Sequence, residues 1–180
     1  MSTPTSHFAP VARLLHWLMA VMMIALLFIG AGLTASVSER HEGLLNLHKP
    51  LGIALLVLVV VRLFVRFATR SPALPADLPW VLVLGAKVSH GVLYGLMFSL
   101  PMVGWAMMSA AGDPVMLTHS LHLPSILPAN ATVFARLRQA HTVLAYALFF
   151  TVLLHLAAAL YHGWIRRDGV LNSMLRKPRG

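Results

Sequence analysis

The stretch Leu137–Trp164, LRQAHTVLAYALFFTVLLHLAAALYHGW, decides the fold of this chain. It is an apolar run long enough to cross a bilayer as a helix, and it carries three histidines. His141 and His155 lie 14 positions apart, which is close to four whole helical turns, so both side chains leave the helix in nearly the same direction. His162 continues the same stripe about two turns later. At about 1.5 Å per residue the first two are ~21 Å apart along the axis, so we expect one imidazole near each membrane surface.

The composition is that of an integral membrane protein. Of 180 residues, 58% are hydrophobic and 11% are charged, and the mean hydropathy is +0.78, which is outside the range of ordinary soluble domains. The net charge of +9 is better explained by basic loops beside a membrane than by nucleic-acid binding. The absence of cysteine excludes disulfides, thiolate catalysis, iron–sulfur ligation and the attachment motif of c-type haem. Any metal centre must therefore use the ten histidines.

Four apolar runs meet the length of a membrane span, at about residues 11–35, 44–69, 83–109 and 137–166. They predict an all-α, transmembrane four-helix bundle that forms a single domain over residues 1–180. One side would hold ten basic residues: Arg13, Arg62, Arg66, Arg70, Lys87, Arg166, Arg167, Arg176, Lys177 and Arg179. The other side would hold four, which are Arg40, Lys49, Arg136 and Arg138. The excess of basic residues predicts that both termini are cytoplasmic.

Four histidines pair by depth in this topology. Because the helices alternate in direction, His16 and His155 fall at the inner level, and His48 and His141 fall at the outer level. An imidazole inside a span is costly unless it faces the bundle interior and finds a partner. Axial ligation of two b-type haems, one by each pair, accounts for all four histidines. A proton relay or a histidine-bound ion in a transporter is the alternative.

Four further polar residues lie near the predicted inner pair. His90 and His162 fall in the cytoplasmic third of the membrane, either as polar residues at headgroup level or as the lining of a quinone pocket. Arg62 and Arg66 are one helical turn apart at the inner end of the second helix. They would either extend to lipid phosphates or pair with the propionates of an inner haem.

Several short motifs together resemble the bacterial cytochrome b561 family, from about residue 11 to residue 179. They are His16-Trp17-Leu18, Asn46-Leu47-His48 leading to Gly52, the run from Val60 to Arg66, Ser89-His90, Leu100-Pro101, and the His141/His155 pair followed by Ala157-Ala158-Ala159-Leu160-Tyr161-His162. The resemblance implies a four-helix membrane protein with two haem b groups. It also implies that His16 and His155 hold the iron of one haem, and that His48 and His141 hold that of the other.

The same resemblance implies a reaction in the bacterial inner membrane. The best-understood members of the family oxidise superoxide at the periplasmic face and pass the electrons to ubiquinone, so the resemblance implies ubiquinone as the substrate and lipid as the surroundings. Two alternatives remain open. One is a cytochrome b subunit that links a dehydrogenase or hydrogenase to quinone, and the other is a histidine-based, proton-coupled transporter.

Three basic residues flank the outer histidine pair and are candidates for attracting superoxide. Lys49, Arg136 and Arg138 would form a positive rim that raises the encounter rate of a small anion. His119 and His122 lie in the long outer loop, where they are either solvated or cover the edge of the outer haem.

Overall fold

A computed structural model describes residues 7–35, 37, 39–69, 72–73, 75, 77–118 and 120–175. Four long helices dominate it: α1 (Pro10–Ala35), α2 (Glu39–Ala68), α3 (Trp80–Ala111) and α4 (Ala131–Leu160). A single π-helical turn (Tyr161–Arg166) continues α4, and a short helix, α5 (Val170–Leu175), follows. His119 lies outside the described residues, as do Arg70, Arg176, Lys177 and Arg179 from the charge count.

The helices extend beyond the apolar runs that predict them. Helix α2 begins at Glu39 and has Glu39 and Glu42 in its first turn, where acidic side chains interact favourably with the helix dipole. Helix α4 begins at Ala131 because the side chain of Asn130 accepts a hydrogen bond from the Val133 amide, which is a typical N-cap. Hydropathy locates the lipid-buried part of a helix, whereas capping determines where the helix begins.

The lateral surface of the bundle, which faces away from its core, is apolar. Leu14, Phe28, Phe64 and Leu154 leave 68%, 76%, 71% and 70% of their surface exposed. All four long helices are long and apolar enough to cross a membrane, with α4 and its π-turn counted as one segment. Exposed apolar residues on every side are expected where the solvent is lipid. The chain is therefore a membrane protein with four candidate spans.

The packing leaves α4 attached mainly to one neighbour. Helix α1 packs against α2, α2 against α3, and α3 against α4, while the backbone of α4 makes no comparable approach to α1 or α2. A buried cluster joins all four helices, with Met19, Val59, Met97 and Leu148 among its members. Leu148 lies seven residues from both His141 and His155. The apolar core therefore separates the two histidine levels.

The chain reverses direction after α4 and returns to the start of α1. Arg167 and Gly169 adopt positive φ angles of 54° and 82°, and these bring α5 under the end of the bundle where α1 begins and α4 ends. The Trp17 indole donates a hydrogen bond of 3.2 Å to the Met174 carbonyl. We call the end of the bundle that carries α5 the terminal end. We call the opposite end, which carries the 112–130 loop, the loop end.

Candidate functional site

The two depth-matched histidine pairs come together as predicted from helix direction. The ring centroids of His16 and His155 are 6.2 Å apart at the terminal end. Those of His48 and His141 are 6.3 Å apart at the loop end. The rings of each pair are steeply inclined to each other, by 68° and 72°. Helix α4 supplies one imidazole to each pair.

The loop-end pair is enclosed by all four helices. His48 comes from α2 and His141 from α4, and glycines of the other two helices face them. A Cβ atom on Gly30 of α1 would lie 3.7 Å from His48 Cε1, and one on Gly104 of α3 would lie 3.3 Å from His141 Cε1. The Nδ1 atoms of both histidines are buried without a hydrogen bond of ordinary geometry, although the Leu100 carbonyl lies close to His141.

The terminal-end pair also receives a side chain from every long helix. His90 of α3 places its ring centroid 5.4 Å from that of His155, and its Nδ1 donates to the Ala86 carbonyl at 2.6 Å. Arg62 of α2 is close enough to interact electrostatically with His16 and His155. Its Nε donates a 3.1 Å hydrogen bond to the Tyr94 hydroxyl of α3. Arg66, one turn beyond Arg62, is exposed.

These residues fit a haem better than a bare metal ion. When two imidazoles bind one metal, each metal–nitrogen bond is about 2 Å long, and each bonding nitrogen lies about 1 Å from the centre of its ring. The two ring centres are then about 6 Å apart. Both observed separations agree with this distance. Within the described residues, no group of three or more histidine and acidic side chains could hold a metal ion. A porphyrin would supply the remaining nitrogen ligands of an iron that each histidine pair would hold.

A hydrogen-bonded network of charged residues lies beyond the terminal-end pair, and it contains His162. The Asp168 carboxylate accepts hydrogen bonds from His162 Nδ1 at 2.6 Å, the Val170 amide at 3.2 Å and Arg166 Nε at 3.0 Å. Arg166 also donates to Asp77 at 2.7 Å. Burial by itself would raise the pKa of Asp168, but the three hydrogen bonds outweigh burial and hold that pKa below its ordinary value.

The position of His162 differs from the stripe that the sequence predicts. A continuous α-helix would carry His162 in line with His155, but the π-turn begins at Tyr161 and changes the register. The imidazole therefore binds Asp168, whereas His90 contacts His155. His90 and His162, which the sequence predicts to line one pocket, therefore contact different residues.

The predicted positive rim at the loop end is partly neutralised. Lys49 forms a 2.6 Å ion pair with Asp113, and its side chain is only 9% exposed. Arg136 and Arg138 are exposed near the start of α4. His122 is exposed in the loop, where it forms an isolated antiparallel bridge with Met116.

Sequence reasoning missed the residues that surround the histidines. Tyr94, Gly30 and Gly104 carry no signal on their own in apolar helices, although small residues often mark close contacts inside membrane bundles. Asp168 had a usable signal, because it follows His162 by six residues in a strongly basic segment. Asp113 had none, since it lies 64 positions from Lys49.

Comparison with known proteins gives consistent matches along the whole chain. Residues 7–177 match the family model described as prokaryotic cytochrome b561. The probable superoxide oxidase CybB of Yersinia pestis is 29% identical over 168 residues, which cover 92% of this chain and 94% of that protein. Cytochrome b561 homolog 2 of Escherichia coli K12 is 29% identical over 182 residues, covering 98% and 94% of the two chains. Homolog 1 from the same strain is 24% identical over 173 residues, covering 94% and 97%.

Proposed function

Because the chain belongs to the prokaryotic cytochrome b561 family, we propose that it oxidises superoxide at the loop end and reduces ubiquinone at the terminal end, in the bacterial inner membrane. Membrane electron transfer is the function of the family. The choice of superoxide is supported by the name of the Yersinia pestis relative and by exposed cationic side chains beside the loop-end pair.

One observation carries this proposal. Two histidine pairs with ring centres 6.2 and 6.3 Å apart lie at two levels of an apolar bundle, and α4 contributes to both. His16 and His155 would hold one haem b, and His48 and His141 would hold the other. A transporter is less well supported, because Leu148 and its neighbours form an apolar core between the two levels.

When bound, the two haems supply one-electron redox chemistry at each level of the membrane. The protein has three tasks around them. Arg136 and Arg138 raise the local concentration of a small anion at the loop end. The apolar core keeps water away from the middle of the bundle. At the terminal end, Arg62 presents hydrogen-bond donors beside the pair formed by His16 and His155, which suits a haem propionate or the carbonyl oxygen of a quinone. His90, whose Nδ1 proton is bound by the Ala86 carbonyl, presents Nε2 as an acceptor.

The proposal is tested with purified protein that carries both haems. The purified protein should have a haem-to-protein ratio near two. When superoxide is generated enzymatically, this protein should reduce ubiquinone to ubiquinol. The rate of haem reduction should fall as ionic strength rises, because salt screens the attraction between superoxide and exposed arginines. Protein with both haems that forms no ubiquinol from superoxide would refute the assignment of the donor or the acceptor.

A second candidate function follows from the surface of the 112–130 loop. Met116, Leu121 and Ile126 are exposed there by 42%, 56% and 42%, and Lys49 is held by Asp113. An apolar loop surface would suit a redox protein that docks and donates electrons, as in subunits that connect a dehydrogenase or hydrogenase to quinone. Copurification of an iron–sulfur or molybdenum protein at equal stoichiometry in mild detergent would favour this candidate.

A further inference from the structure

Two carboxylates at the terminal end of the bundle bind the same arginine. Of its five acidic residues, Asp77 and Asp168 follow spans that end at the terminal end, and both bind Arg166. Asp77 is 77% exposed, whereas the Asp168 side chain is 8% exposed and the His162 side chain 14%. The network therefore runs from a carboxylate in water to a nearly buried carboxylate–imidazole pair.

The local backbone is built to bring Asp168 back to His162. An α-helix that continued past Leu160 would place residues six apart on different sides, but here a π-turn is followed by Arg167 in the left-handed region, with φ of 54°. A residue other than glycine in that conformation costs about 1 kcal/mol or more. Single π-turns inside helices are frequent at functional sites. The Asp168–His162 contact is thus formed by two uncommon backbone features in succession.

The hydrogen bond fixes which nitrogen of His162 can exchange a proton. With Asp168 bound to Nδ1, that atom carries a proton, and Nε2 is left to accept or donate another. The groups around the imidazole are the Asp168 carboxylate, the Arg166 guanidinium that shares this carboxylate, and Tyr161, whose ring centroid is 5.8 Å away. The carboxylate bound to Nδ1 holds the imidazole in one orientation and leaves Nε2 pointing away from Asp168.

We propose that His162 delivers protons to ubiquinone at the terminal end and that Asp168 is its positioning residue. This inference rests on the proposed reduction of quinone. Reduction of the quinone to the quinol consumes two electrons, supplied by two molecules of the reductant, and two protons. In each transfer an O–H bond forms on a quinone oxygen as the Nε2–H bond of His162 breaks. Nε2 then regains a proton from water at the terminal end, while the Nδ1 proton stays in its hydrogen bond to Asp168. Arg166 stays charged and orients both carboxylates.

The experiment starts from full-length protein whose haems have been reduced with dithionite, so that it does not depend on the identity of the physiological donor. Ubiquinone is added, and haem reoxidation is followed optically between pH 6 and 9, in H₂O and in D₂O. Asp168→Asn is compared with Asp168→Glu, which keeps the carboxylate, and with Glu42→Gln, a change of an exposed carboxylate at the loop end of α2. Each variant is first shown to have the wild-type haem content and absorbance spectrum.

We expect Asp168→Asn to slow reoxidation by about tenfold to a hundredfold, with an altered pH profile and solvent isotope effect, because it removes the charge that orients a proton donor. Asp168→Glu should recover most of the rate, and Glu42→Gln should match the wild type. Adding His162→Gln to Asp168→Asn should cause little further loss, because the two residues act as one unit. The ¹⁵N NMR spectrum of histidine-labelled protein should show His162 protonated at Nδ1 in the wild type.

Two results separate the failure of this inference from that of the proposed function. If ubiquinone does not reoxidise the wild-type haems, quinone reduction itself is wrong. If the wild type is reoxidised and Asp168→Asn has the same rate, pH profile and isotope effect, the assignment of Asp168 and His162 is wrong. Should Asp168→Asn lose haem, His162→Gln alone carries the same comparison against Glu42→Gln.

Discussion

Gly104 is the position where a single added carbon should report most directly on the loop-end histidine pair. A Cβ atom there would lie 3.3 Å from His141 Cε1 and 3.6 Å from its Nδ1, whereas an ordinary contact is 3.4–4 Å. In Gly104→Ala the imidazole must therefore move by a few tenths of an ångström. Gly30 provides the matched control, because its added Cβ would lie at an ordinary 3.7 Å from His48 Cε1. Both glycines lie inside long helices and face the same pair.

The size of the effect follows from packing. Inserting a carbon into a closely packed site costs about 1–3 kcal/mol, which corresponds to roughly fivefold to 150-fold weaker binding of the group that the site holds. Replacing glycine by alanine inside a helix otherwise stabilises it by about 0.5–1 kcal/mol. Loss of haem in Gly104→Ala could therefore not be attributed to a weakened helix, because replacing glycine by alanine makes the helix itself more stable.

The assay is the ratio of haem to protein, together with the reduced-minus-oxidised absorbance spectrum. We expect Gly30→Ala to keep a ratio near two, Gly104→Ala to lower it or shift the α-band of one haem, and Gly104→Val to bring it near one. The signal of the haem at the terminal end should stay unchanged in all three. Wild-type spectra and ratios for Gly104→Val would refute the assignment of His141 as an axial ligand.

Three other predictions follow. His16→Ala and His141→Ala should each remove one haem and leave the other, and a variant that kept both would contradict the pairing. Asp113→Asn should release Lys49 and increase the rate of haem reduction by superoxide at low ionic strength, and the difference from the wild type should disappear at high salt. If the variant and the wild type have equal rates at low as well as at high salt, a role for Lys49 is contradicted. The pKa of Asp168 is depressed in the folded state, so its contribution to stability is present above its unfolded pKa of about 4 and is lost as the pH falls through the lower, folded value. Asp168→Asn should therefore lower the Tm by a few degrees at pH 7, with a smaller difference at pH 3, and an equal difference at both would count against an ionised Asp168.

The level of each histidine pair could be predicted from the sequence because it depends only on helix direction and length. His16 and His155 both lie near the end of a span that faces the termini, and a span length in residues converts directly to depth. Apolar runs also located all four helices. What they could not give is where a helix begins, since Glu39 and Asn130 act through the helix dipole and capping rather than through hydropathy.

The contacts around the pairs could not be predicted because they depend on rotation about the helix axis. His90 lies at the depth of His155, but depth alone does not say that their rings meet. The π-turn at Tyr161 has no signature in hydropathy, so the sequence predicts that His162 continues the stripe of His155. The ion pair between Lys49 and Asp113 joins residues far apart in sequence, and only the packing of α2 against the end of α3 brings them together.

Because α4 contributes an imidazole at both ends, a single covalent segment sets the distance between the two histidine pairs. Relative movement of the other three helices can tilt an imidazole, but it cannot change the four-turn interval between His141 and His155. Insertion of one residue in that interval would rotate one ring by about 100° away from its partner. We therefore expect this segment to accept changes of side chain far more readily than changes of length.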